Sequence, residues 1–198
     1  MKKYFIIVTT IVLLFQCCTS NNKQESDVSD KNQKKVDSFF PVTSFIKGQI
    51  ILLDSMPVTP LQITTIKEKT DSVWLPKHEF IAQLQPFLDP LIKENNLRDF
   101  FKETRFNDQT INAVTFTYDP INTIPDSITL RHWDVYIEPE TGRVSKVYLV
   151  KNLQTQNQNF TQQLTWQTDK LAKITTILNK SDGSLELIKE IVLIWNFN

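Results

Sequence analysis

The chain has 198 residues, 40% of them apolar, with 13 Phe and 4 Trp, and 22 basic side chains balance 22 acidic ones. That content supports a globular core and excludes a disordered protein, and no basic block is present to neutralise nucleic-acid phosphates. Three scattered glycines, Gly48, Gly142 and Gly183, are too few for a phosphate-cradling loop, and two cysteines with no histidine near them do not make a metal site.

In chain order, Met1-Lys2-Lys3 comes first, followed by an apolar stretch from Tyr4 to Phe15 and a polar exit, Thr19-Ser20-Asn21-Asn22-Lys23-Gln24. A charged start, about 12 apolar residues and a polar exit are the layout of a secretory signal peptide, whereas a membrane-spanning helix needs roughly 20. Both cysteines, Cys17 and Cys18, stand at the end of this run, and no alanine precedes Ala82 to mark an ordinary signal-peptidase cut. Adjacent cysteines make a strained disulfide, because bridged Cα atoms sit about 4.4 to 6.8 Å apart and trans-linked neighbours about 3.8 Å.

Leu14-Phe15-Gln16-Cys17 resembles the lipobox of bacterial lipoproteins, in which Leu stands three residues before a Cys that is acylated and becomes the mature N-terminus. Gln16 departs from the family's small residue at that place. Counted from Cys18, Cys17 supplies the small residue but Phe15 stands where Leu belongs. Cys17 is the favoured lipidation site and Cys18 the alternative. The resemblance implies a signal peptide over residues 1–16 and a lipid-anchored protein, carrying palmitate or a similar acyl chain, at the outer membrane or cell envelope of a Gram-negative bacterium. The domain would face the periplasm or the cell surface. It would have no cysteine and would rely on its core alone.

Residues 17–38 follow as a lipidated N-terminus and tether. Thr19 to Ser38 holds only Val28 and Val36 as apolar side chains, too little to offset the entropy of ordering, so a disordered segment is expected. A single α+β domain is expected over 39–198. Ser44 to Leu53 and Leu61 to Lys67 read as strands joined through Pro57 and Pro60. Phe80, Ile81, Leu84, Phe87, Leu88, Leu91 and Ile92 fall at helical spacing, and Pro76 suits a helix start. Pro86 and Pro90 remove backbone donors, so a broken helix is expected from Pro76 to about Phe101.

After it, Ile111 to Tyr118, Arg131 to Glu138, Arg143 to Leu153, Phe160 to Gln167, Leu171 to Leu178 and Leu185 to Phe197 are rich in β-branched and aromatic residues. Pro139-Glu140-Thr141-Gly142 and Ser181-Asp182-Gly183 are hairpin signals, and short connections imply an antiparallel meander. The last strand is apolar on both faces from Ile191 to Trp195, which predicts a central, covered position. The fold expected is a twisted antiparallel sheet of about seven or eight strands with a broken helix packed on one face.

Chemistry is sparse. His78 belongs in the first turn of the helix and is expected to be exposed. His132 and Asp134 share one face of a strand, and with Ser145 they supply the residue types of a hydrolase triad. Asp134 and Glu138 share that face too, as an acid and base flanking a sugar would. Ordinary surface polarity accounts for both arrangements, so no catalytic residue and no cofactor are assigned. Trp133, Tyr148, Trp166 and Trp195 lie on different strands and would either line a ligand pocket or pack a core; core packing is the default.

Val135-Tyr136-Ile137-Glu138-Pro139-Glu140-Thr141-Gly142-Arg143-Val144 resembles the strand-turn-strand of PepSY-type domains, with Glu138 where those domains commonly carry Asp. The resemblance covers under half of the domain and implies an extracytoplasmic protein-interaction or protease-modulating module without a catalytic residue. The expected function is therefore a membrane-anchored binding domain with a protein partner, with strand addition at a sheet edge as one mode of docking. A carrier of an apolar ligand or lipid and a hydrolase are the alternatives.

Overall fold

The computed structural model describes residues 39–88 and 97–197. The expected signal peptide, the tether and both candidate lipidation sites, Cys17 and Cys18, lie outside the described residues. The elements are α1 (Val42–Ser55), β1 (Leu61–Ile66), β2 (Lys69–Trp74), α2 (Lys77–Gln83), a single 3-10 turn (Gln85–Phe87), β3 (Phe101–Asp108), β4 (Ala113–Pro120), β5 (Leu130–Ile137), β6 (Val144–Gln154), β7 (Asn159–Gln167), β8 (Leu171–Asn179) and β9 (Leu185–Ile194). All nine strands form one twisted antiparallel sheet in the order β2-β1-β9-β8-β7-β6-β5-β4-β3. Strands β4 to β9 are the expected meander, β3 extends it beside β4, and the hairpin β1–β2 adds to it by pairing β1 with β9.

Two expectations need correction. Ser44 to Leu53 is helical, not a strand: Val42, Ile46, Ile50 and Leu53 form one buried stripe at 3.6-residue spacing, while Ile51 and Leu52 are 60% and 56% exposed on the far side. Pro57 lies just beyond the C-cap Met56, whose extended backbone ends the helix. The helix after Pro76 is broken as expected: it ends at Gln83 and a 3-10 turn follows, because Pro86 has no N–H to continue the ladder; residues 89–96 of its expected span lie outside the described residues, and Phe101 belongs to β3. The two strands at the sheet's edges, β2 and β3, carry no alternating pattern and were not expected from the sequence.

Both helices lie on one face of the sheet. Phe80 contacts Trp195 at 5.8 Å between ring centroids, Phe87 meets Trp166 edge-on at 5.5 Å, and Trp166 and Trp195 lie 5.2 Å apart. At the other end Tyr118 stacks on Trp133 at 4.4 Å, with Phe101 edge-on at 4.8 Å. The Tyr118 hydroxyl also accepts the Phe40 N–H at 3.0 Å, tying the entry of α1 to β4.

One polar side chain enters this core. Lys151 is fully buried, and its Nζ donates to the Pro86 carbonyl. In a continuing helix that carbonyl would accept the N–H of residue 90, but Pro90 has none. The ammonium thus satisfies a backbone acceptor that the proline spacing would leave unpaired.

Candidate functional site

The opposite face of the sheet is covered by no helix among the described residues, and its two ends differ in chemistry. At the β4–β6 end, cross-strand register places Thr117 opposite Asp134 and Asp134 opposite Tyr148. His132 Nδ1 donates to Asp119 Oδ1 at 2.8 Å and Nε2 to Asp134 Oδ2 at 3.0 Å. Both partners are carboxylates, so the geometry suits the imidazolium form, in which both ring nitrogens donate. Asp134 also accepts the Thr117 hydroxyl at 2.7 Å on its other oxygen and the Tyr136 hydroxyl at 3.3 Å.

The electrostatics follow from these bonds. The Asp134 hydrogen bond, opposed by burial and supported by Asp119, raises the His132 pKa above its ordinary 6.5. Burial works to raise the pKa of Asp134, but the bonds from His132 and Thr117 hold it below the ordinary value. Burial and the Asp134 charge push the Tyr136 phenol up to about 12. Lys146 sits 3.7 Å from the centre of the Tyr136 ring, a cation–π contact that closes the network on the solvent side.

The residues the sequence offered for chemistry are not assembled for it. Ser145 Oγ donates to the Tyr136 carbonyl at 3.3 Å instead of to His132. A general base needs a ring nitrogen open to its substrate, and both nitrogens of His132 are held. Glu138 accepts the Thr141 hydroxyl at 2.7 Å in the β5–β6 turn, where Gly142 at φ +69° makes the reversal. His78 is 82% exposed beside Glu79. Trp133, Trp166 and Trp195 are buried in the core, whereas Tyr148 is on the open face with its ring 6.2 Å from His132. Asp119 and Thr117, partners that complete the network, were not singled out in the sequence because they depend on strand register, whereas Tyr136 lies two residues from Asp134 on the same strand face.

At the β2 end the open face carries an apolar row beside polar ones, the polar side including the Lys173–Glu190 ion pair at 3.5 Å and the Thr65–Thr70 hydroxyl pair. Register runs Leu171, Ile194, Leu61 and Trp74 in one row across four strands, and Val192 stands opposite Ile63 in the next. Strand β9 is interior as expected, but Val192 and Ile194 lie on its uncovered side, which corrects the expectation that both faces are covered. Trp74 is 57% and Phe197 59% exposed, with ring centroids 5.7 Å apart. All six residues of β2 are exposed.

Its outer edge can be assigned. The Leu75 N–H donates to the Pro60 carbonyl at 2.9 Å, so by antiparallel alternation Val73, Asp71 and Lys69 bond to β1. The backbone groups of Thr70, Ser72 and Trp74 then point away from the sheet, and the Ser72 N–H donates to the Asp71 carboxylate at 2.8 Å. The opposite edge, β3, differs: it carries Lys102, Glu103, Arg105 and Asp108, with Arg105 bonded to Glu103 and lying 4.7 Å from the centre of the Phe116 ring. Charge of this kind blunts a sheet edge against further pairing.

Comparison with known proteins adds no family: no protein-family model, no curated protein and no solved structure matches the chain.

Proposed function

We propose that this chain is a lipid-anchored lipoprotein of a Gram-negative cell envelope, acylated at Cys17, whose domain binds a protein partner and catalyses nothing. The anchor rests on the Leu14-Phe15-Gln16-Cys17 run behind an apolar leader. The binding role is carried by one observation: an uncovered apolar row that ends on the exposed strand β2. Patches of this kind on a folded domain mark interaction sites more often than chance contacts. The PepSY-like β5–β6 hairpin agrees with a protein-interaction module.

The carrier reading is weaker. The aromatics that would line a pocket between helices and sheet fill that space instead, with Trp133, Trp166, Phe80 and Phe87 at most 1% exposed. The hollow beside the β6–β7 and β8–β9 turns, about 630 Å³, has polar walls such as Gln154, Asn159 and Asn179, and the one at the β1–β2 hairpin, about 1270 Å³, is an open hollow of mixed lining that includes Gln62, Thr64, Ile66 and Lys189.

Growth with an alkyne analogue of palmitate, followed by membrane fractionation, tests the anchor. Label and membrane association should be present in the native chain and absent in Cys17→Ser. Label that persists in Cys17→Ser and disappears in Cys18→Ser moves the anchor to Cys18; an unlabelled native chain overturns it.

A further inference from the structure

We infer that the outer edge of β2 is a docking site for an extended polypeptide strand, apolar on its open-face side and carrying a basic residue opposite Asp71. The inference rests on the binding role proposed above and names its site and the chemistry of its partner.

Three outward residues, Thr70, Ser72 and Trp74, have backbone groups that no other strand among the described residues joins, the Ser72 N–H being held only by the Asp71 carboxylate, and all three side chains lie on the open face, with Trp74 ending the apolar row. An incoming strand hydrogen-bonded to them places its own open-side residues next to Ser72 and Trp74 and so lengthens the row Leu171–Ile194–Leu61–Trp74. The same strand's other side chains fall beside Lys69, Asp71 and Val73, which are on the helix side. An acidic residue beside Lys69 and a basic one beside Asp71 complete the complementarity. Asp71 has a second part in this. Its carboxylate now occupies the Ser72 N–H; a carbonyl from the added strand takes that donor and releases the carboxylate to the partner's cation.

Two other occupants fit less well. A lipid surface would accept Trp74 and Phe197 but would leave the outward N–H and C=O groups of β2 without partners, which hydrocarbon cannot supply. A second copy of this chain, added edge to edge with both open faces on one side, must place a single residue on the two-fold axis. Asp71 on the axis sets like charges together, and Ser72 on the axis sets Asp71 against Val73. Only Thr70 on the axis brings Lys69 to Asp71, and that register pairs just Lys69, Thr70 and Asp71 within the strand.

The test uses the full-length protein in lipid nanodiscs at one copy per disc, panned with displayed random dodecapeptides and counter-selected on Ser72→Pro. The Ser72 N–H makes no bond to β1, so proline there removes an outward donor and spares the ladder. Enriched peptides should alternate apolar and polar residues with a Lys or Arg at a fixed place. The synthetic winner should slow amide exchange at Thr70, Ser72 and Trp74 by roughly tenfold or more. N-methylating its backbone on alternate residues should abolish binding, and Trp74→Ser should weaken it by roughly tenfold. Three outcomes overturn the site: no enrichment, exchange that slows on another strand, or amides at 69–74 already slow in nanodiscs without peptide. Slowing on another strand leaves the binding role standing and removes only this edge; no enrichment removes both.

Discussion

The two ends of the open sheet face begin from the same exposure and reach opposite states. Around His132 most polar groups have a partner within the fold: two carboxylates on one imidazole ring, two hydroxyls on Asp134 and a lysine over Tyr136, with the buried Thr115 hydroxyl opposite Tyr136 the exception. At β2 an apolar row ends on the exposed Trp74, and no other strand among the described residues joins the strand's outward backbone groups. The end richest in titratable chemistry is therefore paired within itself, and the end that looks blandest in sequence carries the unjoined strand edge. Paired charge is a way of finishing a surface, and exposed apolar area beside an unpaired strand leaves it unfinished.

Three measurements probe that contrast. The largest effect belongs to the core beneath the polar end. Trp133→Ala removes the ring against which Tyr118 stacks and Phe101 packs, and urea titration should show a loss of about 3–5 kcal/mol, because the site cannot collapse around nine missing ring atoms.

The next is His132→Phe, which leaves Asp119 and Asp134 facing each other without a cation. Stability at about pH 6 should fall by roughly 1–3 kcal/mol, discounted from a fully buried pair because the imidazole is partly exposed. The pH dependence has a definite sign. The folded pKa of His132 lies above 6.5, so its contribution is complete below the unfolded value and is lost as pH rises through the folded one. The folded pKa of Asp134 lies below 3.8, so its contribution is present above that value and is lost as pH falls through the folded one. Denaturant midpoints across pH should therefore decline on both sides of a plateau in the native chain, and His132→Phe should lack the alkaline limb. An unchanged alkaline limb in the variant would show that His132 does not carry the charge assigned to it.

The smallest effect concerns the β1–β2 turn. Lys67 holds φ at +56°, a left-handed conformation that costs a non-glycine residue energy. Lys67→Gly should raise stability by about 0.5–1 kcal/mol in thermal unfolding, since relief of strain exceeds the added entropy of the unfolded chain. Destabilisation instead would mean that the Lys67 side chain contributes packing to the edge hairpin.

What was legible in the sequence tracks burial. Strands β1 and β4 to β9 have at least one packed face, and their β-branched and aromatic runs announced them within a few residues. Strands β2 and β3 were missed because an edge strand exposed on both faces has no reason to alternate; KTDSVW and FKETRFND read as polar connectors. The error at Ser44 to Leu53 has a different origin. Ile and Leu are common to helix and strand, and only the packing of Val42, Ile46, Ile50 and Leu53 onto the sheet chose the helical period. The His132–Asp134 pair was visible as two residues on one strand face, but Asp119 and Thr117 join it from β4, 13 and 17 positions away, through register alone.

By itself, then, the sequence determined the α+β class, the antiparallel order of most strands and the turns at Gly142 and Gly183, because apolar periodicity and glycine's positive φ act over a few residues. Tertiary structure alone decided which strands became edges and which sheet face the helices took. It also decided whether a polar group would find a partner, as Lys151 found the carbonyl of Pro86. Those outcomes depend on contacts between segments far apart in the chain, whose free energies appear only once the sheet is assembled.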